Sequence, residues 1–353
     1  MSAGQPDTAP VETRNAIDTA RLESWMIDHV PGFTGPLQVD QFVGGQSNPT
    51  FLLRSGAGNY VLRRRPPGNL LPSAHAVDRE HRVLSALHVA GYAVPRPFAL
   101  CLDETVIGSI FFVMSAVEGR VFWNQQLPDL DRADRRPVFQ SLAETLAALH
   151  AFDPDALGLS DFGPPGNYYA RQIGRWTKQY RLSQSGEVAA FEKLIDWLPG
   201  SIPDQTRTTV VHGDFQLHNT ILHPTAPRVA AVIDWELSTL GDPLADLSYM
   251  LMQWHVSGGR QVGLGGADLD ALGIPGQDEM VETYCRAAGR SDAPKLDWHL
   301  AYNTFRFACI LQGIAGRVRE GNAASPRARE AAARAPALAE TAWRLAERAG
   351  ASG

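Results

Sequence analysis

Lysine is nearly missing from this sequence. Of 32 basic residues only Lys178, Lys193 and Lys295 are lysines, and the first 177 residues contain none. Chemistry that needs a cation in that half must use arginine or histidine. Cysteine is scarce too. Cys101, Cys285 and Cys309 are odd in number and far apart, which excludes a disulfide framework or a cysteine metal cluster and points to a reducing cytoplasm. Positive charge is not in excess: the net charge of −6 disfavours a nucleic-acid partner. No apolar run approaches the roughly 18 residues of a membrane span. The most apolar short stretch, Ile110 to Val117, has strand length. Residues 1–15 hold no basic stretch followed by an apolar block, so no secretory leader is expected. A Gly-Lys-Ser/Thr triplet is also absent, which excludes a Walker A loop.

A chain of 353 residues has room for two domains or lobes. Residues 1–15 are polar and read as disordered. Ala20, Leu22, Trp25 and Met26 fit an amphipathic helix from Asp18 to about His29. Strands are expected over Leu37–Val43, Thr50–Arg54 and Tyr60–Arg63, with a hairpin turn at Gly56–Asn59. A helix over Ala76–Ala90 and a buried strand at Ile110–Val117 follow. Beyond Gly119 helices dominate: Pro137–Phe152 with Pro137 in its first turn, Asn167–Leu182, Glu187–Leu198, Ala245–His255, Leu300–Arg319, and a terminal tract from Ser325 that Pro336 interrupts. The division is thus a tail and helix over 1–30, a β-rich lobe over 31–118 and a mainly helical lobe over 119–353.

The most informative segment reads Val-Val-His212-Gly213-Asp214-Phe-Gln-Leu-His218-Asn219, and fifteen residues later comes Asp234-Trp235-Glu236. Two acids and an amide on loops between short strands suit phosphoryl transfer. One carboxylate orients the attacking hydroxyl; an amide oxygen and a second carboxylate hold Mg²⁺ against nucleotide phosphates. This all-oxygen donor set suits Mg²⁺ rather than zinc. His218 reads as a loop packer.

These residues resemble the aminoglycoside phosphotransferase and choline kinase family, whose catalytic loop is H-G-D-x-x-x-x-N and whose metal loop begins D-x-[DE]. The Gly241-Asp242-Pro243-Leu-Ala-Asp246 segment matches the family's G-D-P-x-x-D. The resemblance implies an α+β, protein-kinase-like, two-lobed fold and an ATP- and Mg²⁺-dependent transfer to a small-molecule hydroxyl. It implies that Asp214 is the catalytic base, that Asn219 and Asp234 are metal ligands, that His212 is mainly structural and that Asp246 braces the catalytic loop. In the amino-terminal half, Gly44, Gly45 and Ser47 lie in a loop suited to covering phosphates. Arg63 stands where kinase-like folds carry the phosphate-gripping lysine, with Glu80 as its helix partner. Arg64 and Arg65 read as solvated, although either could substitute. Met114 and the Ser115-Ala116-Val117 backbone resemble the adenine-reading hinge.

The acceptor is less directly legible. Eight arginines and four glutamates among residues 300–353 favour an anionic acceptor. The Asn167–Tyr180 segment, Leu62–Gly68 and Asp234–Pro243 resemble the kinase-like domain found fused to acyl-CoA dehydrogenases. That resemblance implies a hydroxyacyl-CoA, with Arg171, Arg175, Arg306 and Arg317 at the pocket mouth, Trp176 and Trp254 lining an acyl slot, and Glu236 near the acceptor. An aminoglycoside, choline or sugar-like acceptor, or a nucleotide-binding pseudokinase with a scaffolding role, are the alternatives. A cytoplasmic monomer or homodimer, with no nucleic-acid or membrane partner, is expected.

Overall fold

A computed structural model describes residues 8–43, 48–66, 76–164, 166–184, 186–205, 207–258, 262–319 and 326–352. It divides into two compact units. The first takes the chain up to Val121 with Leu157–Leu159 and Asn219–Ser238; the second takes Phe122–Ala156, Ser160–His218 and Thr239 onward. The segment Asn219–Ser238, expected with the helical lobe, groups instead with the first unit. No helix among the described residues is long and apolar enough to cross a membrane.

The first unit is built on an antiparallel sheet of β1 (Thr8–Pro10), β2 (Gln38–Phe42), β3 (Thr50–Ser55), β4 (Gly58–Arg64), β5 (Pro97–Cys101) and β6 (Phe111–Ser115), in the order β1-β2-β3-β4-β6-β5. Helix α1 (Thr19–His29) is capped by the Asp18 carboxylate, which accepts from the Arg21 N–H at 3.1 Å. It buries Leu22 and Met26 in a core shared with Phe51, Leu53, Leu62 and Phe111. Helix α2 (Val77–Val89) brings Glu80 into its first turn.

Two expectations fail here. Composition suggested disorder through residue 15, yet Thr8 to Pro10 pair with β2, Thr8 opposite Phe42. The Gln41 side chain accepts from the Glu12 N–H and the Asn15 amide. The open edge of β2 supplies backbone partners that composition does not reveal. Arg64 is not solvated. Side chains alternate along β4, so Tyr60, Leu62 and Arg64 turn to the buried face and Arg63 to the other. Arg64 lies 5.5 Å from the Phe51 ring, and burial pulls its guanidinium below the usual arginine range. Arg65 instead pairs with Glu104 at the surface.

Strands β7 (Thr209–Val211) and β10 (Thr239–Gly241) pair in the second unit; between them in sequence, β8 (Thr220–Leu222) and β9 (Val229–Val232) form a hairpin of the first unit. Gly119 is why that hairpin can lie so close: a Cβ there would come within 2.3 Å of the Leu222 carbonyl oxygen. Arg120 and Leu222 exchange backbone hydrogen bonds at 2.9 and 2.8 Å. The Val232 N–H donates to the Ala93 carbonyl at 2.8 Å.

The second unit is helical: α3 (Arg132–Ala151), α4 (Tyr168–Ser183), α5 (Ala189–Trp197), α6 (Pro243–Leu251), α7 (Leu269–Leu272), α8 (Gln277–Ala287), α9 (Asp297–Arg319), α10 (Pro326–Ala333) and α11 (Ala335–Arg348). Helix α3 starts at Arg132, so Pro137 lies inside it rather than in its first turn. Helix α9 packs against α4, α6, α10 and α11, and its Leu300, Tyr302, Phe305 and Cys309 are fully buried.

Candidate active site

In the first unit, four charged side chains from three segments converge. Arg63 reaches out from β4, Glu80 from α2, and Asp234 and Glu236 from the turn after β9. Arg63 Nη2 donates to Asp234 Oδ1 at 2.6 Å and to Glu236 Oε2 at 3.2 Å. Arg63 Nε lies 2.7 Å from Glu80 Oε2, an ion pair bent away from hydrogen-bond geometry. The Asn48 amide donates to Glu236 at 2.9 Å, and the Trp235 N–H to Glu80 Oε1 at 3.2 Å. Asp234 adopts a left-handed conformation, φ 68°. This unfavourable backbone for a non-glycine residue is held between the β9 ladder and the Trp235–Glu80 contact.

Three carboxylates share one cation, so the cluster keeps an excess of negative charge. Burial, together with Asp234 and Glu236, raises the Glu80 carboxyl to about 7, although Arg63 opposes the rise. Burial alone would lower the Arg63 guanidinium, but the three acids push it above its ordinary value. Asn219 joins this region through the hairpin: its carbonyl accepts from the Ile233 N–H at 2.9 Å, next to Asp234.

In the second unit, β7 ends at the His212-Gly213-Asp214 turn. The buried Asp246 carboxylate of α6 holds it, accepting from the His212 N–H at 2.6 Å and the Gly213 N–H at 2.8 Å. His150, itself 2.8 Å from the Tyr284 hydroxyl, lies 3.4 Å from Asp246. Burial would raise the Asp246 carboxyl, but His150, His212 and the Gly213 N–H hold it below the ordinary value. His212 is fully buried, and its Nδ1 accepts from the Asp214 N–H at 3.2 Å. Gly213 has φ +82°, a conformation that suits glycine. Asp214 is half-buried, with the Gln216 amide 3.5 Å from its Oδ1. His218 stacks on Trp123 at 4.7 Å, a packing role.

Gly44, Gly45 and Ser47 lie outside the described residues. Met114 is a buried β6 residue opposite Val61. The Ala116 N–H donates to the Asn59 carbonyl at 3.3 Å, so this hinge donor is already engaged within the sheet.

The residues assigned to an acceptor pocket do not all belong to one. Arg306 is 4% exposed and donates to the Gly213 carbonyl at 2.5 Å, so it is not at a pocket mouth. Arg171 is committed to the Pro164 and Gly166 carbonyls of the loop before α4. Trp176 is buried, with the Arg175 and Arg306 guanidinium groups 5.2 and 5.5 Å from its ring, so it does not wall an open slot. Trp254 donates to the Pro275 carbonyl and packs on Phe139. Arg175 and Arg317, by contrast, line a cleft of about 320 Å³ between α4 and α9, together with Lys178, Gln179 and Ser183.

Sequence reasoning missed Asn48 as a Glu236 partner and Arg306 as a brace of the His212-Gly213-Asp214 turn. For Arg306 a signal existed: it is the one charged residue in the stretch Leu300–Leu311.

The family model described as "Phosphotransferase enzyme family" matches residues 38–299. Acyl-CoA dehydrogenase family member 10 of Mus musculus is 39% identical over 353 residues, covering 99% of this chain and 33% of that protein. Acyl-CoA dehydrogenase family member 11 of Gallus gallus is 40% identical, covering 98% of this chain and 46% of that protein. The chain thus spans a third to under half of the length of these relatives. A crystal structure from Ralstonia eutropha JMP134, provisionally named an aminoglycoside phosphotransferase, is 46% identical with a TM-score of 0.85, covering 94% of this chain and 99% of that one. The aminoglycoside phosphotransferase APH(4)-Ia, solved with ADP and hygromycin B, shares the fold at 20% identity with a TM-score of 0.59, covering 94% of this chain and 99% of that one.

Proposed function

The chain belongs to the phosphotransferase enzyme family, of small-molecule kinases with an α+β, protein-kinase-like fold, and we propose that it transfers the γ-phosphoryl group of ATP to a hydroxyl of a small anionic acceptor, a hydroxyacyl-CoA. The observation that carries the phosphotransferase chemistry is Arg63, which holds Glu80, Asp234 and Glu236 at once. An arginine here supplies the cation that kinase-like folds place on this strand to grip nucleotide phosphates.

In this reading Arg63 steadies the donor phosphates and Glu80 orients Arg63. Asp234 and Asn219, with Glu236 beside them, would hold Mg²⁺. The fit is chemical: the donors are hard oxygens, and three acids against one arginine leave charge for a divalent cation. Among the described residues no group of three or more His, Cys, Asp or Glu side chains forms a ready metal cage. Mg²⁺ does not need one, since it is bound by one or two carboxylates plus substrate phosphates. When bound, it would neutralise charge on those phosphates. Asp214 accepts the proton of the acceptor hydroxyl and aims its oxygen at phosphorus.

Two features support an anionic acceptor. Arg175, Lys178 and Arg317 line one cleft, and the relatives that share 39 and 40% identity are named acyl-CoA dehydrogenases. The test is transfer of labelled phosphate from ATP to 4-hydroxyacyl-CoA, with kanamycin and choline as cationic comparators. Turnover is expected only with the thioester, and Asp214→Asn should cut kcat by at least ~10³-fold while ATP still binds. Transfer to kanamycin or choline and none to any hydroxyacyl-CoA would overturn the acceptor. Undiminished turnover in Asp214→Asn would overturn the base.

A further inference from the structure

We infer that Arg306 is a positioning residue for phosphoryl transfer: from α9 it clamps the carbonyl of the peptide that leads into Asp214, and so fixes the direction of the catalytic carboxylate. The inference rests on the assignment of Asp214 as the base. It departs from the sequence expectation that Arg306 meets an acceptor phosphate.

The geometry is specific. Both ends of the Gly213 residue are held, its N–H by Asp246 at 2.8 Å and its C=O by Arg306 Nη2 at 2.5 Å. Gly213 has positive φ and no side chain to restrict it, so without both anchors its two peptides would be the softest joint before Asp214. The Arg306 guanidinium is itself immobilised. It lies 4.7 Å from the Tyr249 ring and 5.5 Å from the Trp176 ring. The Tyr249 hydroxyl faces the Asp214 carboxylate and Gln216. Gln216 is fixed in turn by the Gln253 amide at 3.1 Å.

A buried guanidinium is costly unless its charge is compensated. No carboxylate lies within ion-pair distance of Arg306 among the described residues. Its charge is favoured by the Tyr249, Tyr302 and Tyr168 side chains first, and beyond them by Asp214, the carboxylate whose field reaches it. A cation buried behind the base, bound to the backbone of the base and in its field, holds that carboxylate in place without touching substrate. An aliphatic or amide side chain would fill the same space without these constraints. Burial of an arginine here is therefore explained by the turn it holds, not by packing.

The probe is Mg·ATP hydrolysis, with water as the acceptor, measured as phosphate release per folded molecule. The variants are Arg306→Gln, Arg306→Lys, Asp214→Asn and the Asp214→Asn/Arg306→Gln pair; thermal melting gives the folded fraction. Arg306→Gln is expected to lower kcat by roughly 30- to 300-fold with the KM for ATP within about twofold of wild type. Arg306→Lys, which keeps the charge, should recover part of that loss. In the Asp214→Asn background the same Arg306→Gln change should cost less than about threefold, because the carboxylate it positions is gone. Wild-type kcat in Arg306→Gln, or the same fold-loss with and without Asp214, would overturn the inference. If Arg306→Gln does not fold, Arg306→Lys decides: a loss of about fivefold or more in kcat at constant KM supports it, and wild-type kcat overturns it. Wild-type turnover in Asp214→Asn would sink the underlying assignment of the base instead.

Discussion

Asp234 and Asp246 lie twelve positions apart, and the regions that hold them use the same carboxylate in opposite ways. The Asp246 side chain is 1% exposed and takes two backbone N–H groups on its two oxygens. It is locked into the fold. The Asp234 side chain is 34% exposed and meets one arm of an arginine that also serves two other acids. Such a carboxylate can exchange partners, as a ligand for a metal ion must. Saturation by backbone donors marks a structural acid; a shared, half-open ion pair marks one kept available.

Removing each acid tests that contrast. Asp246→Ala leaves two buried N–H groups and His150 without their acceptor. It should cost about 3–5 kcal/mol of stability, read as a lower urea midpoint at constant m-value. Asp234→Asn should stay within about 1 kcal/mol of wild type, since Arg63 keeps Glu80 and Glu236. Its loss should appear instead in Mg²⁺-dependent ATP binding. Equal destabilisation by the two changes would erase the distinction.

His299 extends the comparison to a buried group with little compensation. Burial lowers its imidazole to about 4, with only the Lys295 backbone opposing. The unfolded chain therefore takes a proton near pH 6.5 that the folded chain refuses until about pH 4. The stabilisation is complete above pH 6.5 and is lost as the pH falls towards 4, up to about 3 kcal/mol. Asp242 has the opposite sign: burial raises its carboxyl to about 6, so its contribution declines as the pH rises towards that value. His299→Gln should flatten the stability profile between pH 6.5 and 4, measured by urea unfolding at half-unit steps. An unchanged slope would place the acid sensitivity elsewhere.

The elements were largely legible because each carries a local signal. The hairpin turn expected at Gly56–Asn59, the helix start at Asp18 and the Pro336 break are written in neighbouring residues, and the structure places the turn at Gly56-Ala57 and makes Asp18 the cap. The motif acids were legible for the same reason. What was not legible depends on partners distant in sequence. In the sequence Gly119 marks only where helices begin to dominate, and the approach of Leu222 shows why a glycine is needed there. The arginines near the C-terminus read as a charge excess awaiting an anion. Arg306 and Arg317 are both on α9, yet one is buried against the His212-Gly213-Asp214 turn and the other lines a cleft. Charge counting cannot separate them, and neither can helix phase, since eleven residues return to nearly the same face of a helix; what packs beside each along α9 does.

The smallest expected effect lies on the surface. Arg136 of α3 pairs with Glu279 of α8, and Gln140 reaches the same carboxylate at 3.3 Å. The pair resembles Arg63–Glu80 in composition, but its side chains are 40% and 35% exposed against 11% and 2%. Water screens it, and ordering two long side chains offsets the attraction. A double-mutant cycle of Arg136→Ala and Glu279→Ala should return about 0.2–1 kcal/mol, shrinking towards zero in 1 M salt. The equivalent cycle at Arg63 and Glu80 should return more and respond less to salt. If the surface pair matched the buried one, exposure would not be what separates the two kinds of ion pair in this protein.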